Sequence, residues 1–158
     1  PGTGDAPMSL AQLVPLTGVV IVATPHNVAA NIAGKSVALF RRLNSPVLGV
    51  VENMAEMTLP NGETLRIFAG LSGEDLAAQL KVPYLGSIPL DPEVSACGDA
   101  GTPAVMAHPQ SPQAQAFRSI AGKLAQQASI LSLTRADLTK MGEAAERPRF
   151  EPVKPLDR

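Results

Sequence analysis

The sequence has one cysteine, Cys97, one tyrosine, Tyr84, and no tryptophan. A single thiol excludes an internal disulfide framework and fits a reducing compartment, so the expected location is cytoplasmic. Aromatic residues make up 3% of the chain, whereas hydrophobic residues make up 45%. The core must therefore be filled by Ala, Val, Leu and Ile, a mixture that suits helices packed on a parallel sheet. The apolar runs fall well short of the roughly 20 residues a membrane-spanning helix needs. Thirteen Lys and Arg oppose 14 Asp and Glu for a net charge of −1, with the basic residues scattered. That distribution offers no basic stripe for nucleic acid. No secretory signal pattern and no internal repeat are present.

What is present begins with a turn. Pro1-Gly2-Thr3-Gly4-Asp5 is a glycine-rich segment of the kind that hangs off the end of a strand, and no strand or initiator Met precedes it. Glycine lets successive backbone N–H groups converge on an anion without interference from a Cβ. The expectation is the rear part of a larger nucleotide-binding domain, beginning at a phosphate-facing loop.

The remaining pattern reads as alternating strands and helices. Ser9 to Val14 is expected to be a short helix. Gly18 to Thr24 is a continuous apolar run suited to a strand buried on both faces. Asn27 is placed to cap a helix from Val28 to Leu43, whose last turn carries Arg41 and Arg42. Pro46 to Val51 is a second buried strand, ending in Glu52-Asn53-Met54. Met57 to Phe68 reads as a hairpin around Asn61-Gly62. Ser72 and Asp75 open a helix to Leu80 with a capping-box pattern. Val82 to Ile88 is a third strand, followed by Pro89-Leu90-Asp91-Pro92 and a short helix from Glu93 to Ala100. Pro112, at the favoured first position, opens a helix to about Ile130. Thr134 to Ala145 is expected to be a separate helix, and the Pro-rich stretch 147–158 a disordered tail. The order is that of an α/β protein with a mostly parallel sheet.

In such sheets, ligands bind beyond the carboxyl ends of the strands. Thr24-Pro25, Glu52-Asn53-Met54 and Pro89-Leu90-Asp91 all fall there. Their sequence context resembles one family. Pro1-Gly-Thr-Gly-Asp5, Val14-Pro-Leu-Thr-Gly18, Ala23-Thr-Pro25, Val47-Leu-Gly-Val-Val-Glu-Asn-Met54, Leu85-Gly-Ser-Ile-Pro-Leu-Asp91 and Gly98-Asp-Ala-Gly-Thr-Pro103 occur in that order. The set resembles the C-terminal part of the Mrp/ApbC group, iron–sulfur cluster carrier ATPases related to MinD and ParA. The likeness covers residues 1–131 as one domain part, with 132–146 as a possible extra helix.

The resemblance implies a partial P-loop NTPase fold, a homodimer, and ATP with Mg²⁺ in a complete parent. The family's deviant Walker A loop, GKGGVGK followed by Ser or Thr, does not occur in this sequence. Nor does its Walker B aspartate. The resemblance assigns Gly2, Thr3, Gly4 and Asp5 to a switch loop sensing the γ-phosphate, with Asp5 positioning water or Mg²⁺. The plain alternative is a glycine turn capping the first helix. It assigns Asn53 to the purine edge, where an amide offers both donor and acceptor. The competing reading is an Asn whose side chain closes a turn. Pro89, Leu90 and Asp91 are assigned to the loop lining the base. Lys35 reads as a solvated helix residue and His26 as a surface loop residue.

One departure bears on function. Many family members carry Cys-x-x-Cys after the Glu-Asn-Met segment, and two such pairs in a dimer would supply four thiolates to a cluster. Here Met57-Thr-Leu-Pro-Asn-Gly-Glu63 has no cysteine. Cys97 alone supplies too few ligands for a cluster and reads as a small semi-buried residue, so no metal ligands are assigned. Gly70-Leu71-Ser72-Gly73 also replaces a more glycine-rich run and is expected to be stiffer. The reading is an ATP-binding iron–sulfur cluster carrier ATPase acting on apo client proteins, here without the phosphate-binding lysines. Two other readings stand beside it: a MinD/ParA-like positioning ATPase, and a non-catalytic dimerising remnant with an exposed sheet edge.

Overall fold

The computed structural model describes the backbone of residues 4–145 and side chains as far as Thr134. The chain order is α1 (Asp5–Leu13), β1 (Val19–Ala23), α2 (Asn27–Arg42), β2 (Val47–Asn53), β3 (Met57–Thr58), β4 (Thr64–Leu65), α3 (Gly73–Leu80), β5 (Tyr84–Ile88), α4 (Pro92–Asp99), α5 (Ala104–Ala107) and α6 (Pro112–Ala145). Strands β1, β2 and β5 form a parallel sheet in that spatial order, and β3 and β4 form a separate antiparallel hairpin. The expected strands and the Asn61-Gly62 hairpin are all present. Gly62 has φ +84°, the left-handed conformation that glycine adopts without steric cost.

The central strand β2 explains the layering. Val50 and Val51 are both buried but point to opposite faces. Val50 packs with Ile21, Ala33, Val37, Phe40, Leu76 and Ala77, so α2 and α3 cover one face. Val51 packs with Leu85, Ile88 and Ile120, so α6 covers the other. A parallel sheet buried on both sides needs both layers, and the Val-rich sequence of β2 reflects this.

Local chemistry fixes the helix ends. In α2 the cap is His26 rather than Asn27: the His26 ring Nδ1 accepts from Val28 N at 3.2 Å, one residue earlier than the sequence suggests. Ser72 Oγ accepts from Asp75 N at 3.1 Å and starts α3 as expected. Arg41 on α2 donates to Leu80 O at 2.8 Å and to Lys81 O at 3.3 Å, satisfying carbonyls that the end of α3 leaves open.

In the C-terminal region one element is added and one expectation changes. The four-residue helix α5 does not stand out in the sequence. The predicted break between Ile130 and Thr134 is absent, and α6 runs continuously through it. The hydroxyls of Ser129, Ser132 and Thr134 each bond back to the carbonyl four residues earlier, at 2.9 Å in all three cases. Thr134 therefore spends its hydroxyl inside one helix instead of capping the next. The segment 147–158 lies outside the described residues.

Candidate functional site

The carboxyl ends of β2 and β5 are tied together past the last ladder pair. Ala55 N donates to Ile88 O at 3.2 Å, and Leu90 N donates to Glu56 O at 2.7 Å. This extension brings Asn53, Pro89, Leu90 and Asp91 around one groove of about 290 Å³, closed by Val94 and Ser95 of α4 and by Phe117 of α6. The size is at the low end of ordinary small-ligand sites, roughly 300–1,000 Å³. The walls are mainly apolar, and among the described residues no Lys or Arg lines them.

The polar groups in the groove are partly committed. Asn53 Oδ1 accepts from Met54 N at 3.1 Å, and Met54 is left-handed at φ +57°. The turn-closing role and the ligand-facing role of Asn53 are thus compatible, because the Nδ2 group makes no hydrogen bond among the described residues. Asp91 Oδ1 accepts from Glu93 N at 2.9 Å and caps α4. Its carboxylate caps the helix that closes the groove.

Asp5 is the first residue of α1, and Gly4 is the N-cap with no side-chain cap bond. Neither lines the Asn53 groove. Gly2 and Thr3 lie outside the described residues. A larger groove of about 610 Å³ runs along β1, between α1 and α2. Its lining is mainly apolar, with Thr24 and Ser36 the polar residues among those described. β1 is an edge strand of the sheet, and on its face opposite Ile21, Val22 is 61% exposed.

Two groups named in the sequence have partners near the strand ends that it does not reveal. Glu52, on the face of β2 opposite Asn53, is buried; its Oε2 accepts from Tyr84 OH at 3.1 Å. Its Oε1 has no hydrogen-bond partner among the described residues and lies 4.0 Å from Arg66 Nη2. Burial, reinforced by the nearby Glu52 charge and opposed by the Ser87 hydroxyl, pushes the Tyr84 phenol up to about 12. His26, besides capping α2, meets Phe68 edge-on with ring centroids 6.2 Å apart. Nothing in a one-dimensional pattern pairs His26 with Phe68 or Glu52 with Tyr84, since the partners come from separate elements. No helix among the described residues is long and apolar enough to cross a membrane.

Known proteins resemble this chain in sequence and in fold. The iron–sulfur cluster carrier protein of Deinococcus radiodurans is 48% identical over 135 residues, covering 85% of this chain and 38% of that protein. The iron–sulfur cluster transfer protein NUBPL of Dictyostelium discoideum is 35% identical over 133 residues, covering 84% of this chain and 41% of that protein. The chain thus spans about two fifths of the length of these curated relatives. Among solved structures, a nucleotide-binding protein from Archaeoglobus fulgidus in complex with ADP matches with TM-score 0.56 at 36% identity, over 64% of this chain and 42% of that one. The family model described as ParA, NUBPL iron-transfer P-loop NTPase, matches residues 1–125, and to that family the chain belongs.

Proposed function

We propose that this chain carries the base-binding side of the nucleotide site in an ATP-dependent iron–sulfur cluster carrier. The observation that carries the reading is the convergence of Asn53 with Pro89, Leu90 and Asp91 on one groove at the carboxyl ends of two adjacent parallel strands. The Asn53 Nδ2 group supplies a donor to a purine edge, and Pro89 and Leu90 supply apolar walls for the ring. The groove suits a base better than a triphosphate, because among the described residues no cationic side chain lines it. Phosphate binding belongs to a Walker A loop, which these 158 residues do not contain. Asp5, exposed at the start of α1, is the residue of this chain assigned to positioning water or Mg²⁺. ATP and Mg²⁺ together would supply phosphoryl transfer to water, driven mainly by positioning and charge neutralisation.

The cluster is cargo in this reading. The β3–β4 hairpin, Met57 to Leu65, offers no thiolate to hold it. The role as carrier therefore rests on the named relatives, and the delivery of clusters to apo client proteins by a homodimer belongs to the same proposal. The test is ATP affinity, measured by calorimetry in the presence of Mg²⁺ on a protein carrying the Walker A loop in addition to these residues. Asn53→Ala should weaken binding roughly tenfold, about 1.4 kcal/mol. Unchanged affinity would remove Asn53 from the site.

A further inference from the structure

Beside α4, three side chains of different chemistry that do not line the Asn53 groove meet. Glu93 and Cys97 lie one turn apart on one face of α4, the spacing that brings i and i+4 together. His108 follows α5 as its C-cap residue. His108 Nε2 lies 3.1 Å from Glu93 Oε1, and Cys97 Sγ lies 4.0 Å from the same oxygen. All three candidate ligand atoms fall within 4.8 Å of one another.

We propose that Glu93, Cys97 and His108 form a three-ligand site for a single divalent transition ion of the zinc class. A tetrahedral zinc with bonds of about 2.0 Å to N and O and 2.3 Å to S would hold its ligand atoms about 3.3–3.6 Å apart. The Glu93–His108 and Glu93–Cys97 separations bracket that value, so an ion requires only side-chain adjustment. A mixed thiolate, imidazole and carboxylate set favours a borderline ion over Mg²⁺ or Ca²⁺, which want oxygen donors throughout. One thiolate per chain excludes a cluster at this position.

The surroundings hold the three ligands in place. Asp91 caps α4 at its start, and Thr102 N bonds Cys97 O at 3.0 Å near its end. His108 N bonds Ala104 O at 2.9 Å, and Ser111 N bonds His108 O at 3.0 Å. From α6, Arg118 reaches Pro109 O at 2.7 Å and Val105 O at 3.4 Å, bracketing the peptide that carries His108. Cys97 is buried and forms the floor, whereas the Glu93 and His108 side chains are 58% and 51% exposed. An ion on this floor keeps one position open to solvent or to a ligand, the pattern of three-protein-ligand zinc sites. The sequence shows no Cys-x-x-Cys, and the partners of Cys97 come from one turn earlier and from the next helix. The inference stands independently of the nucleotide reading.

The test uses the full chain, reduced and freed of metal, titrated with Co²⁺ as a spectroscopic substitute. The expected result is saturation at one ion per chain, with a thiolate-to-cobalt charge-transfer band in the near ultraviolet that Zn²⁺ displaces. Cys97→Ser should abolish that band. His108→Ala, at an exposed position, should weaken Zn²⁺ binding in chelator competition by more than the roughly 10–100-fold typical of losing an outer-shell partner. If Cys97→Ser fails to fold, His108→Ala and Glu93→Gln decide the matter. A cobalt spectrum without a thiolate band, or Zn²⁺ affinity unchanged in His108→Ala, overturns the proposal.

Discussion

Tyr84 is the only tyrosine and the chain has no tryptophan, so the tyrosinate absorbance of the whole protein reports one residue. Its phenol is raised from 10.0 to about 12, first by burial and then, against the Ser87 hydroxyl, by the charge of Glu52. In the unfolded chain the group ionises near 10. Below pH 10 both states keep the proton and the pair contributes its full stabilisation. Between pH 10 and 12 the unfolded chain releases the proton and the folded chain does not, so stability falls as pH rises through this window. A tenfold change in an ionisation constant is worth about 1.36 kcal/mol, so the window from 10 to 12 holds about 2.7 kcal/mol as an upper bound and about 2 kcal/mol after allowing for water at a half-buried ring. The assay is an alkaline absorbance titration followed alongside far-ultraviolet circular dichroism. The folded chain should show a midpoint well above 10 and a urea midpoint that drops across the same window. Glu52→Gln removes one raising cause and should move the absorbance midpoint down, but not to 10, because burial is the larger cause. Tyr84→Phe should abolish both the absorbance step and this part of the pH dependence. A midpoint at 10 in a chain that remains folded would refute the burial argument.

Two further perturbations test the packing. Leu85 is 1% exposed and lies between β2 and α6, so Leu85→Ala should cost about 2–5 kcal/mol in urea unfolding; a loss under about 1 kcal/mol would contradict its place in the core. Gly70 packs against the turn after β1, where an added Cβ would clash with Pro25 O and lie 2.7 Å from His26 Cα. Those are backbone atoms that cannot rotate away, so Gly70→Ala should destabilise by about 1–3 kcal/mol, and a neutral result would mean that this loop does not sit on the turn.

The fold is legible in the sequence because its elements announce themselves locally. Val47 to Val51 is a strand by composition alone, Asn61-Gly62 a hairpin tip, and Ser72 with Asp75 a helix start. The gathering of Asn53 with Pro89, Leu90 and Asp91 follows from strand order, since parallel neighbours place their carboxyl ends side by side. The features that are not legible depend on pairs distant in sequence. Arg41 serves the end of α3, and Tyr84 OH serves Glu52 across 32 positions. The cap of α2 falls one residue early because a His ring nitrogen accepts the bond that Asn27 is expected to take. The continuity of α6 is hidden because a helix-internal hydroxyl and a capping hydroxyl look alike in sequence.

That continuity has a consequence for how the molecule opens. At 1.5 Å per residue, the 34 residues of α6 extend about 50 Å, three times the rise of a five-residue strand such as β5. Its grip on the sheet comes from Ile120 and Leu124, whereas Ile130 and Leu133 are 50% and 67% exposed. The amides of the first turns can exchange with deuterium only when the sheet itself comes apart, and those beyond Leu133 exchange by fraying that leaves the sheet intact. One unbroken helix therefore spans two cooperative units, and protection should decline along it from the stability of the whole fold towards that of an isolated helix end.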